Sequence, residues 1–147
     1  MAANVNAIVP IAPYVKSLSL AAVTANTTRA PTATADLAAA NIFALTAAST
    51  NGLRIDKIQV QACSSVITAP TAAQVVTIWE WDGTTAWPID EIPVTVVTPS
   101  TTAVAFSAYH VYTNLVLPPT HVLYASTTVT TTATTTALCV TAFGGTY

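Results

Sequence analysis

The sequence predicts an all-β fold class: a single-domain antiparallel β-sandwich or jelly roll of about eight strands, with an extended N-terminal arm. Three observations support this prediction. Apolar and polar residues alternate with a period of two along much of the chain, β-branched residues are abundant, and turn residues separate short segments. No segment has a convincing helical pattern, and 147 residues suit one domain.

The N-terminal segment, residues 1–16, is predicted to be the arm, and residues 17–147 the sandwich domain. Pro10 and Pro13 favour extended backbone in this segment. The arm is too apolar to move freely in water, so we expect it to lie against a neighbouring subunit or another surface; a disordered terminus is the alternative. The side chains expected to make this contact are Val5, Ile8, Val9, Ile11 and Tyr14.

Strands are predicted wherever the alternation runs between turn residues. The segment LAAANIFALTAA (37–48) could be a short helix capped by Asp36, but the turn residues that follow it favour a strand from about Asn41. In LRIDKIQVQA (53–62) the alternation changes parity, which predicts a β-bulge near Asp56 and Lys57. The eight predicted strands are 17–23, 41–48, 53–62, 74–81, 86–97, 103–117, 122–129 and 135–143.

The stretch TIWEWDGTTAWPIDEIPV (77–94) contains all three tryptophans and four of the six carboxylates. Asp82-Gly83 is a strong hairpin signal, because glycine tolerates positive φ and aspartate can close an Asx-turn. Alternation places Glu80 on one face of the outgoing strand and Trp79 and Trp81 on the other. On the return strand it separates Trp87, Ile89 and Glu91 from Pro88, Asp90 and Ile92.

The divided carboxylates predict a hairpin and not an active site. A glycosidase needs two carboxyl groups that flank one bond in environments that separate their pKa values, and acids beside an exposed turn do not supply them. No nucleophile elbow and no glycine-rich phosphate loop is present. We therefore predict no enzymatic activity, no catalytic residues and no cofactor. Core packing is the favoured role of Trp79, Trp81 and Trp87, with a sugar-stacking or protein-contact platform as the alternative.

The histidines and cysteines are assigned structural roles. His110 and His121 have no carboxylate close in sequence, so a hydrogen-bonded structural histidine is favoured over a metal site. Cys63 and Cys139 could form one disulfide, but nothing in the sequence indicates an oxidising compartment. The favoured interpretation is two small buried hydrophobic residues.

The chain is unusually poor in charge. Alanine and threonine account for 28 residues each, only ten residues are charged, and no Asp, Glu, Lys or Arg follows Glu91. Such a protein is kept soluble by hydroxyl groups or hides part of its surface in an assembly. Four basic residues cannot form the basic face that nucleic acid requires, and no apolar run is long enough to span a membrane.

Four segments together resemble small structural proteins of tailed bacteriophages, especially head decoration (cement) proteins. They are NGLRIDKIQVQA (51–62), WDGTTAWPIDEIPV (81–94), NLVLPPTHVLYAST (114–127) and VTAFGGTY (140–147). The resemblance implies a virion protein without catalytic residues, located on the outer surface of the head. It implies a homotrimer as the oligomer and the major capsid protein as the partner.

The expected function is therefore stabilisation of a capsid by bridging its subunits. The arm is the first candidate for the docking element. Residues 142–147 are the second, because Gly144-Gly145 would let Tyr147 turn back over a neighbour. Two alternatives remain open: a carbohydrate- or host-binding β-domain that uses its tryptophans, and a tail or fibre component.

Overall fold

A computed structural model describes residues 12–33 and 41–147, which form nine strands and no helix. Two of the strands contain only two residues. The strands are β1 (Ala12–Leu20), β2 (Thr32–Ala33), β3 (Phe43–Ala44), β4 (Leu53–Ala62), β5 (Gln74–Trp81), β6 (Thr85–Val94), β7 (Ser107–Leu117), β8 (Val122–Thr127) and β9 (Leu138–Thr146).

The strands form two antiparallel sheets. Sheet A has the order β1-β9-β4-β7, and sheet B has the order β2-β6-β5-β8-β3. The inward-facing side chains of both sheets meet in one buried core, in which Leu20, Ile58 and Val140 of sheet A join Ile78 and Leu123 of sheet B. This arrangement confirms the predicted all-β antiparallel sandwich.

The strand pairs are nested within one another along the sequence. β5 pairs with β6, β4 with β7, β3 with β8, and β1 with β9. Each of these pairs encloses the previous one, so the chain resembles one long two-stranded ribbon that has been folded over to make both sheets. The Asp82-Gly83 turn between β5 and β6 is the closed end of that ribbon.

The outer face of sheet B is covered by the chain itself. Trp79 is fully buried there, against Ile42 and Ala86, with Trp81 and Tyr124 packed at the edge of the cluster. Its indole Nε1 donates a hydrogen bond to Ser126 Oγ at 2.8 Å. A buried indole normally finds such a partner, so Trp79 belongs to the packing of the protein.

Two β-bulges change which side chains face the core. β4 has an extra residue at Asp56, between Ile55 and Lys57, as the change of parity predicted. β6 has an extra residue at Ile89, because Ile78 pairs with Asp90 whereas Trp79 pairs with Pro88. The strict alternation predicted along the return strand is therefore wrong: Asp90 pairs with Ile78 of the core face, whereas Pro88 pairs with Trp79 of the outer face.

The two cysteines form a disulfide. Cys63 and Cys139 are bonded to each other with their Cα atoms 5.7 Å apart, and both residues are half-buried. The interpretation of these residues as two small buried hydrophobic side chains is therefore wrong. The possible disulfide was not the favoured interpretation because the two residues are 76 positions apart and meet only through the pairing of β4 with β9.

The ends of sheet A also differ from the sequence prediction. β1 begins at Ala12, so residues 12–16 belong to the sheet and not to an arm; residues 1–11 lie outside the described part of the chain. Gly144 and Gly145 lie inside β9 and pair with β1 and β4, so they do not form the expected turn. Tyr147 follows directly, and its backbone N–H donates to Gly52 O.

Breaking the disulfide should destabilise the fold. The Cys63→Ser/Cys139→Ser double variant is expected to lose about 2–4 kcal/mol of unfolding free energy, because the cross-link restricts the unfolded chain. Urea unfolding with and without reductant measures this loss. The reductant should lower the stability of the native protein and leave the double variant unchanged; an equal effect on both would contradict the assignment.

Gly144 should not tolerate a side chain. A Cβ at this position would lie 1.8 Å from the backbone oxygen of Arg54, so Gly144→Ala is expected to cost about 3 kcal/mol or more, or to prevent folding. Gly83 is the matched control. Its Cβ would meet nothing within 4 Å, and only its positive φ of 106° opposes alanine, at a cost of about 1 kcal/mol. Comparison of the two melting temperatures tests the difference.

Candidate functional site

The four carboxylates of the β5–β6 hairpin do not converge on one point. Each bonds to a different partner, and the partners of Asp90 lie on the distant strand β7. The acids are Glu80, Asp82, Asp90 and Glu91.

Asp82 organises the turn. Its Oδ1 accepts hydrogen bonds from the backbone N–H groups of Thr84 and Thr85 at 2.8 and 2.9 Å and from the Thr84 hydroxyl at 2.8 Å. Its Oδ2 accepts a hydrogen bond from Trp87 Nε1 at 3.0 Å. The bonds from Thr85 and Thr84, followed by the bond from Trp87, lower the pKa of Asp82. The carboxylate therefore stays ionised and holds an exposed indole in place.

Glu80 pairs with His121. Its Oε1 lies 2.8 Å from Nδ1 of His121, and both side chains are largely buried. His121 is placed by a turn in which its N–H donates to Pro118 O at 3.2 Å. Thr120 in this turn has a φ of 70°, a conformation that a β-branched residue rarely adopts. The turn is held by a hydrogen bond from the Thr120 N–H to Ser49 O.

Asp90 links the two sheets. From β6 of sheet B its Oδ2 contacts His110 Nδ1 at 2.8 Å and accepts a short hydrogen bond from the Tyr112 hydroxyl, both on β7 of sheet A. Burial alone would raise the pKa of Asp90, but the hydrogen bonds from Tyr112, His110 and the Glu91 N–H outweigh it and lower the pKa. Burial and the bond to Asp90 raise the pKa of Tyr112, which therefore stays protonated. We call this group the inter-sheet clasp.

Glu91 lies outside the clasp and pairs with Arg29 through a short contact between exposed side chains. Next to it, a depression of about 310 Å³ runs along β6. It is lined by Arg29, Pro88, Ile89, Asp90 and Glu91. Arg54 and Asp56 form another ion pair, on β4.

Both histidines thus have carboxylate partners, as a structural histidine requires. Sequence reasoning could not find these partners, because His110 and Asp90 are 20 residues apart and His121 and Glu80 are 41 apart. In the described part of the chain, no group of three or more His, Cys, Asp or Glu side chains is arranged to hold a metal ion. The arrangement is one of separate polar contacts, each of which fixes a turn or joins two strands.

The three tryptophans have three different environments. Trp79 is fully buried, Trp81 is half-buried at an edge-to-face distance of 6.5 Å from the Tyr124 ring, and Trp87 is 48% exposed. Of the other predicted contact residues, Tyr14 is half-buried in β1 with its hydroxyl accepting a hydrogen bond from the Ala47 N–H, and Tyr147 is half-buried. Val5, Ile8, Val9 and Ile11 lie outside the described residues.

Within the described part of the chain, one end of the sandwich is formed by loops that contain no charged residue. Three loops meet there: 63–73 after β4, 95–106 after β6 and 128–137 after β8. The disulfide anchors this end, and the loops are joined by hydrogen bonds such as Cys63 N–H to Ala137 O at 3.0 Å and Ser65 N–H to Ala133 O at 3.0 Å. We call it the uncharged end. It exposes four large apolar side chains: Val66, Ile67, Val96 and Val104.

The outer face of sheet A carries exposed apolar side chains beside polar ones such as Gln59, Ser107 and Thr141. One row of cross-strand neighbours runs over all four strands as Val15, Phe143, Lys57 and Val111. The Lys57 Nζ lies 4.2 Å from the centroid of the Phe143 ring and 5.8 Å from that of Tyr109. Val15, Tyr109 and Val111 are all exposed. No described residue covers this face in the way that Ile42 covers Trp79 on the outer face of sheet B.

No protein-family model matches the sequence, and no curated protein or solved structure is found to be similar to it. Within residues 12–33 and 41–147, no helix is long and apolar enough to cross a membrane. A function for this chain therefore has to be argued from its own surfaces.

The inter-sheet clasp should make stability depend on pH. Asp90→Asn is expected to cost about 1–3 kcal/mol at pH 7, because a charged acceptor shared by Tyr112 and His110 is lost. The folded pKa of Asp90 lies below that of the unfolded chain, so the clasp contributes stability at neutral pH and loses it as the pH falls below about 4.

Urea unfolding of both proteins between pH 2.5 and 7 measures this dependence, and the difference between them should shrink towards the acid end. Glu91→Gln is the control, since its pair with Arg29 is exposed to solvent and should contribute little to stability. If the unfolding free energies of the native protein and Asp90→Asn differ by the same amount at every pH, the charge of Asp90 does not have this role.

Proposed function

We propose that this protein is a capsid-decoration protein that binds the outer surface of a phage head as a homo-oligomer, with a trimer as the expected form. The observation that supports the proposal most directly is the uncharged end. It combines an apolar surface, a complete lack of charge and loops that are already ordered by hydrogen bonds and a disulfide.

The nested strand pairs support a jelly roll as the finer description of the fold. With the two-residue β2 left aside, the sheet orders β1-β9-β4-β7 and β3-β8-β5-β6 are those of a ribbon of eight strands rolled once upon itself. Jelly rolls are common in viral capsid proteins and in lectins. The fold is therefore compatible with a virion protein and equally with a binding module, and the surfaces of the protein distinguish the two.

The uncharged end is suited to docking. Burying a charge at an interface carries a desolvation cost that loops without any charge avoid. Their backbone groups are already paired, for example Thr71 N–H with Val97 O at 3.0 Å, so little further ordering is needed on binding. The exposed Ile67 and Val104 would supply the apolar contacts, and the many threonine hydroxyls would supply hydrogen bonds to capsid subunits.

The outer face of sheet A is the surface that we assign to contacts between copies. It is broad and carries Val15, Val111 and Tyr109 around Lys57 as the central charge. Repetition of such a face around a closed symmetry axis buries it in every copy. Trimerisation would then couple three weak contacts with the shell into one strong attachment, and a protein that binds only the intact shell stabilises it by mass action.

Charge introduced at each surface should separate the two roles. Ile67→Glu/Val104→Glu is expected to lower occupancy on isolated heads roughly tenfold or more and to leave the oligomer intact, because it places two carboxylates in an apolar contact. Val111→Glu is the matched variant on sheet A and should weaken the oligomer first. Quantitative binding to heads of a phage that encodes the chain, with sedimentation analysis of the free protein, measures both.

The copy number per particle tests the location. Hundreds of copies are expected for a head decoration, whereas a few dozen or fewer would indicate a tail, neck or fibre component and overturn the proposal. Deletion of residues 1–11, which precede β1, tests the arm separately; undiminished binding would exclude it as the docking element. A protein with no affinity for particles would remove the proposed function altogether.

A further inference from the structure

The geometry around Trp87 points to a binding site for a neutral saccharide at the hairpin, and we propose that this is a second function of the chain, independent of attachment to a shell. The site consists of the exposed Trp87 indole, the Asp82 carboxylate that holds it and the neighbouring depression along β6.

The indole is exposed and fixed at the same time. Trp87 is the tryptophan with the greatest exposure in the described chain, and the apolar face of a sugar ring can stack on such a surface. Its Nε1 is bonded to Asp82, which is itself held by three hydrogen bonds from Thr84 and Thr85. A platform that is already ordered loses little conformational entropy when a ligand binds.

Groups that bond to hydroxyls lie beside the platform. Asp82 Oδ2 accepts a single hydrogen bond, from Trp87, and can accept another from a ligand hydroxyl. The residue after Trp87 begins the depression of about 310 Å³, which contains the Arg29 guanidinium and the Glu91 carboxylate as donor and acceptor. This volume is at the lower end of the range for small-ligand sites, about 300–1,000 Å³.

The charges of the site favour a neutral ligand over a cation. An indole with carboxylates around it could also hold an ammonium group. Here, however, Glu91 is paired with Arg29, Glu80 with His121 and Asp90 with His110, and Asp82 is surrounded by hydrogen-bond donors. Asp82 alone has no basic partner, but four hydrogen-bond donors from Thr84, Thr85 and Trp87 already stabilise its charge, which reduces what a cation would gain there.

The position of the hairpin fits a site open to solvent. β5 begins at the uncharged end with Gln74 and ends with Trp81, next to the turn, so Trp87 lies towards the opposite end of the sandwich. A chain attached through the uncharged end would present Trp87 outwards. The saccharide site does not require that attachment and would be present in the free protein.

The test is an NMR titration of the full chain with maltohexaose, chitohexaose and a mannan hexasaccharide, each to millimolar concentration. The indole N–H signal of Trp87 should shift with at least one of them, and that of the buried Trp79 should not. Trp87→Ala should weaken the binding roughly tenfold or more, whereas Trp87→Phe, which keeps an aromatic face but loses the bond to Asp82, should weaken it only a few-fold.

Tyr109→Ala is the matched control, because it removes an exposed aromatic ring from sheet A and should leave binding unchanged. Far-UV circular dichroism of every variant checks that the fold is kept. The proposal is overturned if no saccharide shifts the Trp87 signal, if Trp87→Ala binds as well as the native chain, or if only tetramethylammonium binds. If Trp87→Ala lowers binding to heads while no saccharide binds the native chain, Trp87 is a protein contact and the proposal is also overturned.

Discussion

The turn at Asp82 and Gly83 is the constraint on which the rest of the structure depends. It fixes the register of β5 with β6, and every other nested pair is placed outside that one. The turn is strongly determined: Gly83 supplies a φ of 106°, and a single carboxylate oxygen of Asp82 accepts bonds from two backbone N–H groups. A slip of one residue here would move the inward-facing residues of the shifted strand to the outer side.

Local sequence patterns predicted the strands that carry their own signal. The bounds of β4 and β5 agree with the alternation of their residues, and the bulge at Asp56 agrees with the change of parity between Ile55 and Ile58. The short β3 was predicted too long. Its alanine-rich segment has little alternation, and its pairing with β8 depends on tertiary contacts.

The features that sequence reasoning missed all depend on pairing between distant strands. The disulfide forms because β4 and β9 are neighbours, and His110 meets Asp90 because the edges of the two sheets face one another. The bulge at Ile89 breaks an alternation that looked regular. In the candidate site, the exposure of Trp87 could not be distinguished from the burial of Trp79, since both residues lie on strands of the same hairpin and both have apolar neighbours in the chain.

The polar groups are unevenly distributed along the sandwich, and this gives its two ends different chemistry. The loops that follow β4, β6 and β8 contain threonine, serine, alanine and valine without charge, whereas four of the six acids lie on the β5–β6 hairpin. In the inter-sheet clasp and at the turn the ionised groups have a structural role, because each one satisfies donors that would otherwise lack a partner. At the uncharged end, contacts can therefore be made only by apolar side chains, hydroxyl groups and the backbone.

Nested pairing also has a consequence for how quickly the chain can fold. The residues joined by the hairpin are five apart at Trp81 and Ala86, but those joined by β1 and β9 are separated by 118 positions at Leu20 and Leu138 and by 134 at Ala12 and Thr146. Chains dominated by such distant contacts fold slowly, on the order of milliseconds to seconds, because long loops must close before their contacts form. The hairpin is the natural nucleus, and β1 is among the last strands to be secured. Until that happens, β9 exposes an unpaired edge to any neighbouring chain.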